Sequence, residues 1–265
     1  MADILEKIVD YKKEEVRLGK KKHRKSDFAS FELWQPVRYD FTAALKNEKA
    51  MSVIAEVKKA SPSKGVIRED FRPVWIAEQY AEAGAAAISV LTDNPSFQGE
   101  NAFLSEIRRE IPKPLLRKDF IVDEWQIHEA RAIGADAILL IATMLSAAQL
   151  QEFAHAAQEI GLHVLTELYE AEEIGKLDTR FHKVVGCNNR DLRTFKVDIS
   201  RSVKILHQLP EEVIKVSESG IEKAQDVESL FSDGIQAVLV GETFMKMKNP
   251  GDGVKMFLEP FEALL

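Results

Sequence analysis

Cysteine is almost absent from this chain: its 265 residues include one, Cys187. That excludes an intrachain disulfide framework and suits a reducing compartment. Long apolar runs are missing too, and none approaches the roughly 20 residues that a membrane span needs. The first residues, "MADILEKIVDYKKEE", are amphipathic and charged, without the apolar centre of a signal peptide. Positive charge is in deficit, with 36 Lys and Arg against 43 Asp and Glu and a net charge of −7. A chain of that sign is a poor partner for nucleic acid. The one dense basic run, "KKKHRK" from Lys20 to Lys25, reads as a solvated loop after a helix. These absences leave a soluble cytoplasmic protein with no nucleic-acid and no membrane partner.

What is present is an ordinary globular composition, 45% hydrophobic and 30% charged, in a chain long enough to bury a core without staples. Three segments resemble one another: "GAAAISVL" from Gly84, "GADAILLI" from Gly134 and "GIQAVLVG" from Gly234, with glycines 50 and then 100 residues apart. Each glycine follows a helical pattern, where a left-handed glycine commonly closes the last turn. Each precedes a short apolar run without alternation, as in a parallel strand covered on both faces. The intervening helices carry their own signals. "SAAQLQEFAHAAQEIG" offers Ser146 and Gln149 as a capping box, with Leu150, Phe153, Ala154 and Ala157 as its apolar stripe. Pro73 suits a first helical turn, and Asp123 starts the pattern "DEWQIHEARAIG".

Eight apolar runs emerge, near 52–57, 86–91, 115–119, 136–142, 163–167, 183–187, 213–218 and 236–240. A spacing of about 25 residues per strand–helix unit, repeated eight times, favours a closed α/β barrel over an open sheet. The expectation is a (βα)8 TIM barrel, one domain over residues 1–265, with residues 1–50 as an N-terminal helical extension of that domain. The extension shows two helical patterns, "ILEKIVDYKKEEV" and "FELWQPVRYDFTAALK".

The strand ends are unusual. In "IAEVKKASPSKG", Glu56 and Lys58 share one face because side chains alternate along a strand. Val53, Ala55 and Val57 take the other face and suit helix packing, so the charges point into the barrel, at the end where barrel enzymes place their chemistry. The pattern recurs. Lys118 and Phe120 follow Leu116, and Glu167 follows Leu165. Asn188 and Arg190 end strand six, and Glu218, Ser219 and Gly220 end strand seven. One such residue is more often a structural ion pair than a catalyst. Five strand ends together shift the balance to a site, because buried charges are costly without partners. The loops after strands seven and eight, "SESGIEK" and "VGETFM", lie where barrels bind phosphate. Gly220 and Gly241 there let backbone N–H groups approach an anion, and Ser61 and Lys58 add a hydroxyl and a charge.

These segments together resemble the indole-3-glycerol phosphate synthase family. "IAEVKKASPSKG" is similar to its N-terminal signature. "LLRKDFIVDEWQI", "VLTEL", "GCNNRDL", "SESGI" and "VLVGETFM" are similar to its later strand ends, in order and over essentially the whole chain. The resemblance implies a carboxy-lyase of tryptophan biosynthesis. Such an enzyme turns 1-(2-carboxyphenylamino)-1-deoxyribulose 5-phosphate into indole-3-glycerol phosphate with loss of carbon dioxide and water. It implies no metal and no organic cofactor, and a phosphorylated small molecule as the partner of a monomer. By the same resemblance, Lys118 takes the general-acid position and Glu167 the general-base position. Glu56, Lys58, Asn188 and Glu218 match other active-site positions. Ser61, Ser219, Gly220, Gly241 and Glu242 fall on phosphate-side positions. Phe97 and Phe120 match positions near the anthranilate ring, and Arg190 matches a substrate-site arginine.

The chemistry suits those types. A lysine serves as acid if desolvation or neighbouring positive charge, such as Lys58, lowers its pKa. Departures from the family pattern are Glu100 and Glu242, where serines are usual, and Cys187, which reads as core packing. A phosphoribosylanthranilate isomerase would want a Cys or Asp acid–base pair at its strand ends, which strand one does not offer. A barrel that only binds a phosphorylated ligand would not need the full polar set. In the extension, Ile4, Leu5, Ile8 and Phe31 either cap the barrel or close over a substrate.

Overall fold

A computed structural model describes residues 4–35, 38–191 and 196–264. Eight strands close into a ring: β1 Ser52–Val57, β2 Ala87–Leu91, β3 Leu115–Lys118, β4 Ala137–Ile141, β5 His163–Leu168, β6 Val184–Asn188, β7 Ile214–Glu218 and β8 Ala237–Val240. Each pairs in parallel with its neighbour in sequence, and β1 closes the ring on β8. Every strand lies within one residue of the run expected for it. A two-residue hairpin, Ala60–Ser61 against Gly65–Val66, follows β1 and was not foreseen.

The local signals act as their chemistry requires. Ser146 caps the helix Ala147–Glu159 by accepting from the Gln149 amide, and Gln149 reciprocates. Asp123 caps Glu124–Ala132, and Pro73 opens Pro73–Glu82. Gly84, Gly134 and Gly234 end their helices at φ of 93°, 99° and 75°, values that any side chain would resist. No helix among the described residues is long and apolar enough to cross a membrane.

Alternation along the strands builds two cores. Val53, Ala55, Val57, Ile88, Val90, Ile138, Leu140, Val185 and Val238 face outward and pack under the helices. Cys187 lies in this outer layer, fully buried, and burial pushes its thiol up to about 12. It is packing, as read from the sequence. Ile54, Leu116, Leu139, Leu165, Val216 and Leu239 face inward and fill the barrel. Truncating one of these leucines to alanine costs about 2–5 kcal/mol through lost transfer energy and a residual cavity.

The extension runs from one end of the barrel to the other. The helix Ile4–Lys22 lies against the C-terminal rim. There Lys12 Nζ sits 2.8 Å from both Asp93 Oδ1 and Asp119 Oδ1, and Tyr11 donates to Asp93 at 3.0 Å. The basic run begins in that helix's last turn, and Lys20 and Lys25 reach Asp123 and Glu124 at 2.7 Å. Phe28 and Phe31 then pack by Trp125. The second helical pattern does not form one helix. It becomes a turn at Glu32–Trp34 and a short helix at Phe41–Ala44; Pro36 and Val37 between them lie outside the described residues, and a proline in such a pattern offers no amide proton for a continuous ladder. Phe41 and Leu45, fully buried, plug the opposite mouth beside Ala137, Val184 and Ala237 at the strand starts.

Candidate active site

Moving two residues beyond the inward apolar layer, each strand meets a cavity of about 400 Å³. Ile54 is followed by Glu56, Leu116 by Lys118, Leu165 by Glu167 and Val216 by Glu218. Every site candidate named from the sequence lines this one cavity. Leu5 and Ile8 of the N-terminal helix line it too, whereas Phe31 packs away from it, against His23 and Phe28. Ile4's side chain lies outside the described residues. Glu100 stands at the N-terminus of a neighbouring helix without a side-chain capping bond and stays exposed, out of the cavity.

Lys118 is the centre of the charged floor. Its Nζ lies 3.2 Å from Glu167 Oε2 and 3.3 Å from Glu218 Oε2. Lys58 Nζ lies 2.6 Å from Glu56 Oε2. Two glycines make room for the carboxylates. A Cβ at Gly186 would stand 2.0 Å from Glu218 Oε1, and one at Gly241 would stand 2.4 Å from Glu56 Oε2. The need for glycine at 241 is thus set by Glu56, in addition to any anion. Asn188 Nδ2 donates to the Tyr169 hydroxyl at 3.0 Å, and its Oδ1 accepts from the Arg190 amide at 3.0 Å.

The electrostatics correct one expectation. Burial alone would lower the Lys118 pKa, but Glu167, Glu218 and Glu56 more than reverse it and hold the ammonium charged. Lys58 does not act as the positive neighbour, because Glu56 neutralises it. Burial also raises the two carboxyls beside Lys118, and their other neighbours push them apart. Glu167 is brought below its ordinary value by Lys118 and by the Tyr169 hydroxyl. Glu218 is raised by burial and by the adjacent Glu167, against the pull of Lys118. Two like charges this close do not both ionise freely, so beside the one ammonium Glu167 holds its charge more readily than Glu218.

The opposite wall suits a phosphate. Ser61 Oγ is buried without a hydrogen-bond partner, a polar atom left for a ligand. Ser219 and Gly220 both have left-handed backbones, at φ of 69° and 76°, and a Cβ at Gly220 would strike Val197. Glu242 sits between Arg190 at 3.5 Å and Lys246 at 2.6 Å. Burial opposes its charge, yet Lys246, Arg190 and Lys58 hold its carboxyl below the usual range. On a third side, the Phe97 and Phe120 rings stand 6.2 Å apart at 33°, a flat apolar wall for an aromatic ring.

Among the lining residues that sequence reasoning missed are Tyr169 and Lys246. Tyr169 was within reach of the alternation rule: Leu165, Glu167 and Tyr169 share one face, and the pattern needed one more step. Lys246 lies one helical turn beyond Glu242, a spacing that pairs opposite charges.

A closed (βα)8 barrel with acid–base groups on its C-terminal rim is the layout of a barrel enzyme. Comparison with known proteins narrows that class. The family model described as indole-3-glycerol phosphate synthase matches residues 5–257. An indole-3-glycerol phosphate synthase of Salinibacter ruber is 47% identical over 258 residues, 95% of this chain and 93% of that one. Another, of Acidithiobacillus ferrooxidans, is 46% identical over 263 residues, 96% and 98% of the two chains. The tryptophan synthase subunit alpha of Legionella pneumophila shares the fold, with a TM-score of 0.62 at 11% identity over 84% of this chain and 98% of that one. The thiamine phosphate pyrophosphorylase of Pyrococcus furiosus gives 0.58 at 15% over 82% and 98%. The chain belongs to the indole-3-glycerol phosphate synthase family.

Proposed function

We propose that the barrel converts 1-(2-carboxyphenylamino)-1-deoxyribulose 5-phosphate to indole-3-glycerol phosphate, with Lys118 as general acid and Glu167 as general base. The observation that carries the assignment of roles is the Lys118 ammonium held between Glu167 and Glu218 at the floor of the cavity. Ring closure moves an electron pair from the aromatic ring to the ribulose carbonyl carbon, and the carbonyl oxygen takes a proton from Lys118. A carbonyl that draws Lys118 away from its carboxylates removes what raises its pKa, while burial remains and lowers it. The ammonium therefore becomes a stronger acid as the substrate seats. Carbon dioxide then leaves with its bonding electrons returned to the ring. Dehydration removes a ring proton to Glu167 and releases hydroxide as water, protonated by an acid of the site.

The remaining residues position the substrate. Lys58, held by Glu56, faces the substrate carboxylate until it departs. Phe97 and Phe120 flank the anthranilate ring. Ser61 Oγ and the backbone at Ser219, Gly220 and Gly241 receive the phosphate, with Arg190 nearby, and Asn188 orients a hydroxyl. Glu242 stands beside the phosphate and weakens its binding unless Lys246 and Arg190 screen it. Catalysis by these groups needs no metal and no organic cofactor, and a cytoplasmic monomer suits a chain with one buried thiol. The test is turnover, followed by indole fluorescence on adding the carboxyphenylamino substrate in the presence of a chelator. Product formation is expected. Turnover of phosphoribosylanthranilate in its place, or an absolute need for a divalent metal, overturns the reading.

A further inference from the structure

The segment "GCNNRDL" carries two asparagines, and the site described above uses only the first. Alternation separates them. Asn188 lines the cavity, whereas Asn189 turns to the other side of the strand end and is almost fully buried. There it binds three successive residues at the end of β7. Its backbone N–H donates to the Glu218 carbonyl at 2.8 Å. Its Nδ2 donates to Ser217 Oγ at 2.9 Å and to the Ser219 carbonyl at 3.1 Å. Its Oδ1 accepts at 3.1 Å from the amide of Ser202, in the helix Ser200–Leu206. Ser202 Oγ closes the ring on Ser217 Oγ at 2.8 Å. The two ends of the side chain cannot be exchanged, because the Ser202 amide needs an acceptor and the Ser219 carbonyl needs a donor.

Ser219 is where this ring acts on the site. Among the described residues, only Ser219 and Gln98 have a positive φ without being glycine, and Ser219 stands at 69°. A residue with a Cβ keeps such a backbone only where its surroundings impose it. The bond from Asn189 to the Ser219 carbonyl imposes it here. The peptide between Ser219 and Gly220 is trans, and a planar trans peptide points its carbonyl and its N–H in opposite directions. The carbonyl is drawn behind the strand end, toward Asn189. The Gly220 N–H is thereby turned the other way, toward the cavity that Gly220 lines.

We propose that Asn189 is a positioning residue for the substrate phosphate: by holding the Ser219 carbonyl it keeps Ser219 left-handed and aims the Gly220 N–H into the cavity. This rests on the reading of that wall as the phosphate site. Asn189 does not touch the substrate, since both protons of its Nδ2 are given to Ser217 and Ser219. Without its side chain, Ser219 relaxes out of the left-handed region and the Gly220 N–H swings with it.

The test is steady-state kinetics of the full-length Asn189→Ala enzyme. KM for the carboxyphenylamino substrate is expected to rise about tenfold, the worth of roughly one hydrogen bond to a charged group. Lost ground-state binding of this kind leaves kcat within about twofold of wild type. Competitive inhibition by inorganic phosphate weakens by a similar factor. A Ser219→Gly enzyme takes the left-handed backbone with no Cβ to oppose it. Adding Asn189→Ala there is expected to raise KM by no more than about threefold, because the two changes are coupled. A merely structural asparagine would lower the melting temperature and leave KM and phosphate inhibition unmoved, and that result overturns the proposal. A fall in kcat at unchanged KM overturns it too, as does an equal rise in KM in both backgrounds. If Asn189→Ala does not fold by circular dichroism, Asn189→Ser replaces it, with a small polar group that stops short of the Ser219 carbonyl. The same expectations and the same overturning results apply. Inorganic phosphate that fails to compete with substrate in the wild-type enzyme removes the phosphate reading and this inference with it. Phosphate that competes equally well in wild type and in Asn189→Ala removes the Asn189 role alone.

Discussion

Two lysines of this barrel are each held among carboxylates, and they do different work. Lys12, 3% exposed, touches Asp93 and Asp119 at 2.8 Å, with Glu15 also at 2.8 Å. Lys118 touches Glu167 and Glu218 at the longer distances of 3.2 and 3.3 Å and faces a cavity. For both, burial alone lowers the pKa and the carboxylates reverse it. The difference lies in what else the carboxylates hold. Asp119 also accepts from Thr92 and Arg117, and Asp93 from Tyr11 and the Ser96 amide. That set is saturated and short. Around Lys118 one carboxylate oxygen of Glu218 is left over. A saturated pair makes an anchor, and an unsaturated pair facing open space leaves protons free to move.

The comparison breaks first at Lys118. Lys118→Ala is expected to reduce turnover by about 10²–10⁴-fold, the scale of a lost general acid, with the barrel still folded, as read by indole fluorescence and by thermal melting. Lys12→Met should show the reverse emphasis. It strands two buried aspartates, and unfolding free energy in urea is expected to fall by about 3 kcal/mol. An equal loss of turnover in both variants would erase the distinction.

His182 sharpens the point with a single partner. It is fully buried, its Nδ1 lies 2.7 Å from Thr166 Oγ1, and its Nε2 has no partner. Burial lowers its pKa from 6.5 to about 4. The unfolded chain therefore binds the proton more readily, and the stability contribution is complete above pH 6.5 and lost as pH falls from 6.5 toward 4. The loss is expected to reach about 2–3 kcal/mol. Urea midpoints across that window check it, and His182→Gln should flatten that part of the slope. The smallest effect concerns Glu242. Glu242→Ser removes a negative charge beside the phosphate wall, and KM for the substrate is expected to fall roughly fivefold, equivalent to about 1 kcal/mol. An increase in KM would mean that Glu242 mainly orders Arg190 and Lys246.

Much of this was legible in the sequence, and the reasons are physical. Strand positions follow from apolar runs closed by turn-forming glycines, and alternation alone sends Glu56, Lys118, Glu167 and Glu218 inward. Capping at Ser146 and Asp123 is local chemistry and needs no tertiary knowledge. The docking of Lys12 is different. Its carboxylates lie on the loops after β2 and β3, and nothing near residue 12 in sequence names them. The protonation of Lys118 was missed for a related reason. Its sign depends on three carboxylates brought together from β1, β5 and β7, and Lys58 was counted as a free charge when Glu56 had already taken it. The second helical pattern divides between Glu32–Trp34 and Phe41–Ala44, because amphipathic spacing ran on across a proline, a residue that interrupts a helix.

The N-terminal helix has a consequence for how the chain is made. It leaves the ribosome well before the groups that hold it: Tyr11 waits for Asp93, 82 residues on, and Lys20 for Asp123, 103 residues on. Through that interval the nascent helix has an apolar face bearing Leu5, Ile8 and Val16 with nothing native to cover it. Its density of charge, with Lys and Glu on the remaining faces, keeps such a segment dispersed while it waits. The part of the molecule that roofs the active site is thus also a part whose surface must suit water through a long interval of synthesis.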